Sequence, residues 1–180
     1  MRVVEQVAGI VLAAGGSLRF GRPKALLDWH GQPFIRQVVQ KALDAGLSPV
    51  VVVVGAVVEP IMQALQGLPV IFAVNEHWQL GQSESIRAGL QRLPAQTGAA
   101  IFLLTDQPQV SVVLLEGLVE AHRRSLSPII APRVEGQGLT RFCSTGKRST
   151  TCAPSTATWA DGHCFPRTRF HGSIGPTVLC

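Results

Sequence analysis

The chain has 180 residues, enough for one domain with a sizeable core, and no run of eighteen apolar residues that would span a bilayer. Its formal net charge of +5 is unevenly divided: residues 1–137 hold 11 basic and 10 acidic side chains, residues 138–180 hold 5 and 1. The basicity belongs to the C-terminal stretch rather than to a groove, and there is no tyrosine for a stacking platform, so nucleic-acid binding is not expected.

From the N-terminus, residues 7–14 read as an apolar, β-branched strand in the place where a signal peptide would lie, without that peptide's layout, which implies a cytoplasmic location. Residues 33–45 carry Phe34, Val38, Val39, Ala42 and Leu43 at helical spacing, closed by Gly46. Residues 49–54 form a continuous β-branched run, the pattern of a strand buried on both faces. A short helix over 57–65 and a strand over 70–74 follow. Ser83 opens a helix reaching about Leu93; residues 99–104 form a fourth strand, and 112–122 a helix with Leu114, Leu115, Leu118 and Val119 on one face. Residues 128–132 read as a fifth, short strand. Strand and helix alternating in this way predict an α/β fold: a Rossmann-like parallel or mixed sheet with helices on both faces, a three-layer αβα architecture.

The richest segment is residues 10–27, IVLAAGGSLRFGRPKALL. A buried strand empties into the small-residue loop Gly15-Gly16-Ser17, and Arg19, Arg22 and Lys24 follow within nine residues. Glycine and alanine let backbone N–H groups approach oxygens closely, and the cations supply the charge that a polyphosphate needs on leaving water. The string is not a Walker-type loop, which requires Gly-Lys-Ser/Thr after a glycine and four residues. It is not a dinucleotide fingerprint either, because Gly15-Gly16 lacks the third glycine opening a helix.

The spacing L-A-A-G-x-S-x-R-x-G-x-P-K, met by Leu12, Ala13, Ala14, Gly15, Ser17, Arg19, Gly21, Pro23 and Lys24, resembles the signature of GT-A-like nucleotidyltransferases. Within that fold it is most similar to the molybdenum cofactor cytidylyltransferases of the MobA-like NTP transferase family and to their guanylyltransferase relatives. Two further segments share the resemblance. One is N-x-x-W-x-x-G-Q-S-x-S-I-R-A-G-L, beginning at Asn75 and containing Trp78, Gly81, Gln82, Ser83, Ser85 and Ile86, a loop and helix start that the family places beside the nucleotide. The other is the strand that ends in Thr105-Asp106-Gln107-Pro108, whose aspartate in the family binds the catalytic magnesium. An Asp just past the carboxyl end of a buried strand sits where open α/β sheets bind ligands, and one carboxylate with phosphate oxygens and waters suits Mg²⁺. Asp106 read alone would be a helix N-cap, but Ser111 is better placed for that. The resemblance covers about residues 7–137.

It implies transfer of CMP from CTP to the terminal phosphate of molybdopterin, with pyrophosphate leaving and Mg²⁺ as cofactor. Arg19, Lys24 and Asp106 would be the catalytic residues, with the metal on Asp106. Leu12, Ala13, Ala14, Gly15, Gly16, Ser17, Asn75, Gly81 and Ser83 would contact the nucleotide. L-A-A-G accompanies the CTP enzymes and L-A-G-G the GTP enzymes, so Ala14 favours cytidine over GTP. The expected partners are CTP, the molybdenum cofactor and a receiving molybdoenzyme or its chaperone. Three rivals stay open: a transferase of the same fold acting on a sugar phosphate, a nucleotide-binding but catalytically defective chain, and a generic interaction domain.

At residue 138 the character changes, which divides the chain into a nucleotidyltransferase-like domain, 1–137, and an off-pattern tail, 138–180. The tail shows neither a 3.6- nor a 2-residue period, and Asp161 is its single acid. Its Cys143, Cys152, Cys164 and Cys180 have no C-x-x-C spacing, so zinc is not indicated and no role is assigned to the thiols. One reading is disorder. The other is a shifted reading frame. With permitted codons for residues 138–142, a start two bases later spells Ala-Asn-Pro-Val. The same offset can continue as ANPVLFDRETFNDLRALNGDVGGRPLL, which contains acids, helical periodicity and both G-N-P-x-L-F-like and G-D-x-G-x-R motifs of the family. The Trp-Ala-Asp-Gly-His context of Asp161 matches neither motif. On this reading the nucleotide half of the site is intact and the acceptor half is damaged.

Overall fold

The computed structural model describes residues 6–16, 21–125, 129–130, 133–134, 137–138 and 141–144. Four long apolar strands make its centre: β1 (Gln6–Ala13), β4 (Val50–Val54), β5 (Val70–Val74) and β6 (Thr97–Leu104). They pair in parallel, β1 lying between β4 and β6, with β5 outside β4. Two short strands, β2 (Asp28–Trp29) and β3 (Gln32–Pro33), form a separate hairpin. Beyond β6 the sheet continues with β10 (Arg141–Ser144) and then β7 (Ile129–Ile130), while β8 (Arg133–Val134) and β9 (Gln137–Gly138) pair with each other.

Alternation along β1 explains the three layers. Val7, Val11 and Ala13 enter one core with Val50, Val52 and Val54, while Ala8, Ile10, Leu12 and Ala14 enter the other with Val51 and Val53. A strand that must be apolar on both faces reads as an unbroken hydrophobic run, and all five valines of β4 are buried. The first core is covered by α1 (Phe34–Asp44), α2 (Glu59–Ala64) and α4 (Val112–Ser125), the second by α3 (Gln82–Leu90). None of these helices is long and apolar enough to cross a membrane.

The helix faces follow the predicted periodicity with small rotations. Helix α1 buries Ile35, Val38, Val39 and Ala42, a set spaced at i, i+3, i+4 and i+7. Phe34, expected on that face, instead packs edge-on against Trp29 of the hairpin, with ring centroids 5.6 Å apart. Gly46 follows the helix at φ 73°, a backbone position that glycine adopts without strain, and the Leu47 amide returns to the Ala42 carbonyl at 3.1 Å. Helix α3 stops at Leu90, three residues short of the expected end. Helix α4 starts as expected: the Ser111 hydroxyl accepts the Leu114 amide at 3.2 Å.

The fifth expected strand is present, and its pairing makes the sheet mixed. Ile129–Ile130 is a strand but does not lie beside β6; β10 inserts antiparallel between them, Phe142 aligning with both Ile101 and Ile130. The chain folds back on itself after α4, which a helix-and-strand alternation cannot anticipate. Strand β9 lies at the expected boundary, residue 137, and β10 after it pairs with β6.

Close packing of α3 depends on one glycine. A Cβ on Gly89 would lie 2.6 Å from Ile10 Cγ2 and 3.0 Å from Val53 Cγ2, both on β-branched side chains fixed in the sheet. Gly89→Ala is expected to destabilise the fold by about 1–3 kcal/mol, the usual cost of overpacking, despite alanine's better helix propensity. Thermal unfolding of the variant checks this; an unchanged or raised Tm would show that α3 can shift away from the sheet.

Candidate nucleotide site

Strand order decides where a ligand can enter. From β1 the chain moves outward to β4 and β5, then crosses back to place β6 on the other side of β1. The connections therefore diverge between β1 and β6, and open α/β sheets bind ligands in the crevice that such a divergence leaves at the carboxyl ends of the strands. Leu12 is in register with Leu104, so the loop after β1 and the turn after β6 leave the sheet side by side. The first and third sequence motifs meet there.

Leu12, Ala13 and Ala14 are buried, with their side chains in the two cores, so what they offer to a ligand is backbone. The Ala14 carbonyl is taken by the Ala56 amide at 3.0 Å. Gly15 is exposed, and a Cβ there would meet nothing within 4 Å among the described residues, so their packing does not demand a glycine at this position. Gly16 is half-buried. Ser17 and Arg19 lie outside the described residues.

Lys24 opens a 3-10 turn, Lys24–Leu26, whose own backbone bonds define it: Leu26 N–H to Pro23 O at 3.1 Å and Leu27 N–H to Lys24 O at 3.1 Å. Ala25 is buried in the core beneath α1, while Lys24 itself is exposed. The apolar neighbour anchors the turn and leaves the ammonium on the surface.

The second motif forms a different kind of structure. Asn75 is 5% exposed, its Nδ2 donating to Ser85 Oγ at 3.0 Å and its Oδ1 accepting the His77 amide at 3.0 Å. Its own amide continues the sheet by donating to Val54 O at 2.8 Å. Asn75 and Ser85 therefore tie the end of β5, the loop 76–81 and helix α3 together. Gly81 holds φ 118°, which a side chain would strain, immediately before α3, and Ser83 is half-buried in the first turn of that helix.

Asp106 is exposed in the turn after β6. Gln107 N–H donates to Leu104 O at 3.2 Å and Val110 N–H to Gln107 O at 3.3 Å, shaping the turn around it. Among the described residues the Asp106 carboxylate has no hydrogen bond or ion pair, and no group of three or more His, Cys, Asp or Glu side chains converges to hold a metal. A single open carboxylate beside a loop of backbone amides fits a divalent ion that arrives already coordinated by phosphate oxygens.

Two contributors escaped the motif reading. A Cβ on Gly55, the residue after β4, would stand 2.9 Å from the Ala14 carbonyl and 2.8 Å from Trp78 Cβ, so Gly55 lets the loop after β1 and the 3-10 turn Trp78–Leu80 approach the same strand end. A lone glycine after five valines was the available signal. The other is Lys41, whose Nζ donates to the Pro108 carbonyl.

Residues 9–168 match the model of the MobA-like NTP transferase domain. The chain is 37% identical over 129 residues to the bifunctional protein GlmU of Anaeromyxobacter sp. (strain K), which covers 68% of this chain but only 26% of that protein. It is 32% identical over 169 residues to nicotine blue oxidoreductase of Paenarthrobacter nicotinovorans, across 89% of this chain and 79% of that one. A probable molybdenum cofactor guanylyltransferase of Bacillus cytotoxicus is 31% identical over 135 residues, 72% of this chain and 65% of the relative. Among solved structures, Rv0371c of Mycobacterium tuberculosis H37Rv superposes with a TM-score of 0.70 at 25% identity, over 79% of this chain and 73% of that one.

Proposed function

The chain belongs to the MobA-like NTP transferase family, a nucleotidyltransferase family, and we propose that it transfers CMP from CTP to the terminal phosphate of molybdopterin, releasing pyrophosphate. The observation that carries this reading is the meeting of the loop after β1 with the Asp106 turn at the point where the strand order reverses. The exposure of Gly15 supports close approach of phosphate oxygens to backbone amides there. A relative named for molybdenum cofactor guanylyl transfer supports the acceptor.

In this mechanism the nucleophile is already an anionic phosphate, so no histidine is needed as general base. Backbone N–H groups from Ala13 to Gly16 cradle the triphosphate, while Arg19 and Lys24 neutralise its β- and γ-phosphates and the leaving pyrophosphate. Mg²⁺, when bound at Asp106, supplies further charge neutralisation on the phosphate oxygens. Asn75, which braces its loop through bonds to Ser85 and His77, and Ser83 would hold the ribose or base edge. Alignment and charge carry the rate. We further propose that residues 138–180 are a shifted-frame tail that leaves the acceptor half incomplete.

Ala14 favours cytidine, since its methyl group narrows the space for a purine. The guanylyltransferase relative favours GTP as the second reading. Calorimetric titration with CTP and with GTP, each with and without Mg²⁺, followed by pyrophosphate release with molybdopterin, separates them. Mg²⁺-dependent binding of CTP in preference to GTP is expected. Binding without release selects the catalytically defective chain. No heat with either nucleotide removes the transferase reading and returns the question to the other chemistry this fold hosts, such as that of the relative named nicotine blue oxidoreductase.

A further inference from the structure

Lys41 has no part in the phosphate chemistry above, yet it touches the turn that carries Asp106. It lies half-buried in the last turn of α1, and its Nζ donates to the backbone carbonyl of Pro108, 67 positions away. Bringing a lysine ammonium into a partly buried position is unfavourable without a hydrogen-bond partner, and ordering the four-carbon stem costs side-chain entropy. Here the partner is a neutral carbonyl two residues past the proposed metal ligand.

The other bonds shaping the turn 104–110 are local and long, 3.2 and 3.3 Å. They set the turn's conformation, while Leu104 pairs with β1 at its start and Val110 is buried at its end in the core shared with α1. Helix α1, in contrast, is fixed to the sheet through Ile35, Val39 and Ala42, all fully buried in the core that also contains Val11 and Ala13 of β1. Lys41 therefore connects the Asp106 turn to the same rigid unit that carries the loop 13–16. Beside the pairing of β1 with β6 and the burial of Val110, Lys41 adds a polar link between the two halves of the site, and the ammonium makes that bond stronger than a neutral donor would.

We propose that Lys41 is a positioning residue: it clamps the turn 104–110 to α1 and so holds the Asp106 carboxylate where a divalent ion shared with a nucleoside triphosphate binds. This rests on the reading of Asp106 given above. The test is a Mn²⁺ titration followed by electron paramagnetic resonance at saturating CTP, together with amide hydrogen exchange in the absence of metal and nucleotide. Lys41→Met keeps the aliphatic stem and removes the donor; the expected result is about tenfold weaker Mn²⁺ binding, the scale seen when a ligand's supporting contact is lost. Exchange at Gln107 and Val110 should accelerate, and Lys41→Arg should restore most of both effects. Arg36→Met is the stability control, since Arg36 Nη1 makes equivalent bonds from the same helix to the carbonyls of Ala64 at 2.9 Å and Gln66 at 3.2 Å, at the end of α2. It should lower Tm without changing Mn²⁺ affinity. If the unaltered chain binds Mn²⁺ and Lys41→Met binds it equally well, or Arg36→Met weakens it as much, the role of Lys41 is overturned and the reading of the site stands. If the unaltered chain binds no Mn²⁺ with CTP, both fall.

Discussion

Lys24→Ala is expected to lower turnover of CTP by about a hundred- to a thousandfold, the scale of losing one preorganised contact to developing charge, roughly 3–4 kcal/mol. The expectation combines two properties of the turn. Lys24 is exposed, on the segment after β1 that the proposed triphosphate would occupy. The turn itself is made by backbone bonds from Leu26 and Leu27 and by burial of Ala25, none of which needs the lysine side chain. Alanine at an exposed helical position changes stability by only about 0.5 kcal/mol, so thermal unfolding should coincide with that of the unaltered chain. Lys24→Arg should recover only part of the rate, because a planar guanidinium does not present charge as a compact ammonium does. Pyrophosphate release measured at saturating CTP checks the prediction. A variant that folds and turns over normally would remove Lys24 from the site.

The layered fold was legible because its signals are physical and local. Five consecutive valines cannot be anything but a doubly buried strand in this context, and Ile35, Val38, Val39 and Ala42 recur at the period of a helix. The sequence puts Gly15 and Asp106 just past the ends of strands, and the fold sets those two strand ends, of β1 and β6, side by side. What escaped was long-range pairing. Nothing in Arg141–Ser144 reveals that it inserts between β6 and β7, because backbone hydrogen bonds set that register. Asn75 was legible only as membership of a motif; that its amide bonds Ser85 and His77 required the fold. The same holds for Lys41, whose partner lies 67 residues away.

The largest gain in activity is expected from the reading frame. A chain whose residues after 137 are replaced by the offset-frame translation should release pyrophosphate with molybdopterin about a hundredfold faster than the present chain, or more, since misplacing one reactant by an ångström already costs that much. CTP binding should be unchanged, because the loop 13–16, Lys24 and Asp106 all precede the junction. The fold gives the argument a specific location. Strand β10 spans Arg141–Ser144, and the offset frame places Val-Leu-Phe at these codons, residues far better suited to a strand beside the buried β6 than Arg-Phe-Cys-Ser. A sheet can accept the present residues because pairing is made by the backbone, and the family match runs across the junction to residue 168. Pairing does not supply an acid, however, and Asp161 is the single carboxylate side chain after Glu135. The offset frame would provide both an Asn-Pro pair directly before β10 and a Gly-Asp-Val-Gly-Gly-Arg segment beyond it. Nucleotide sequence across codon 137 is the first check: an open offset frame encoding both motifs is expected, and early stop codons there would end the proposal. The rebuilt chain is the second check, with equal pyrophosphate release from both chains as the result that would show the acceptor half to be complete already.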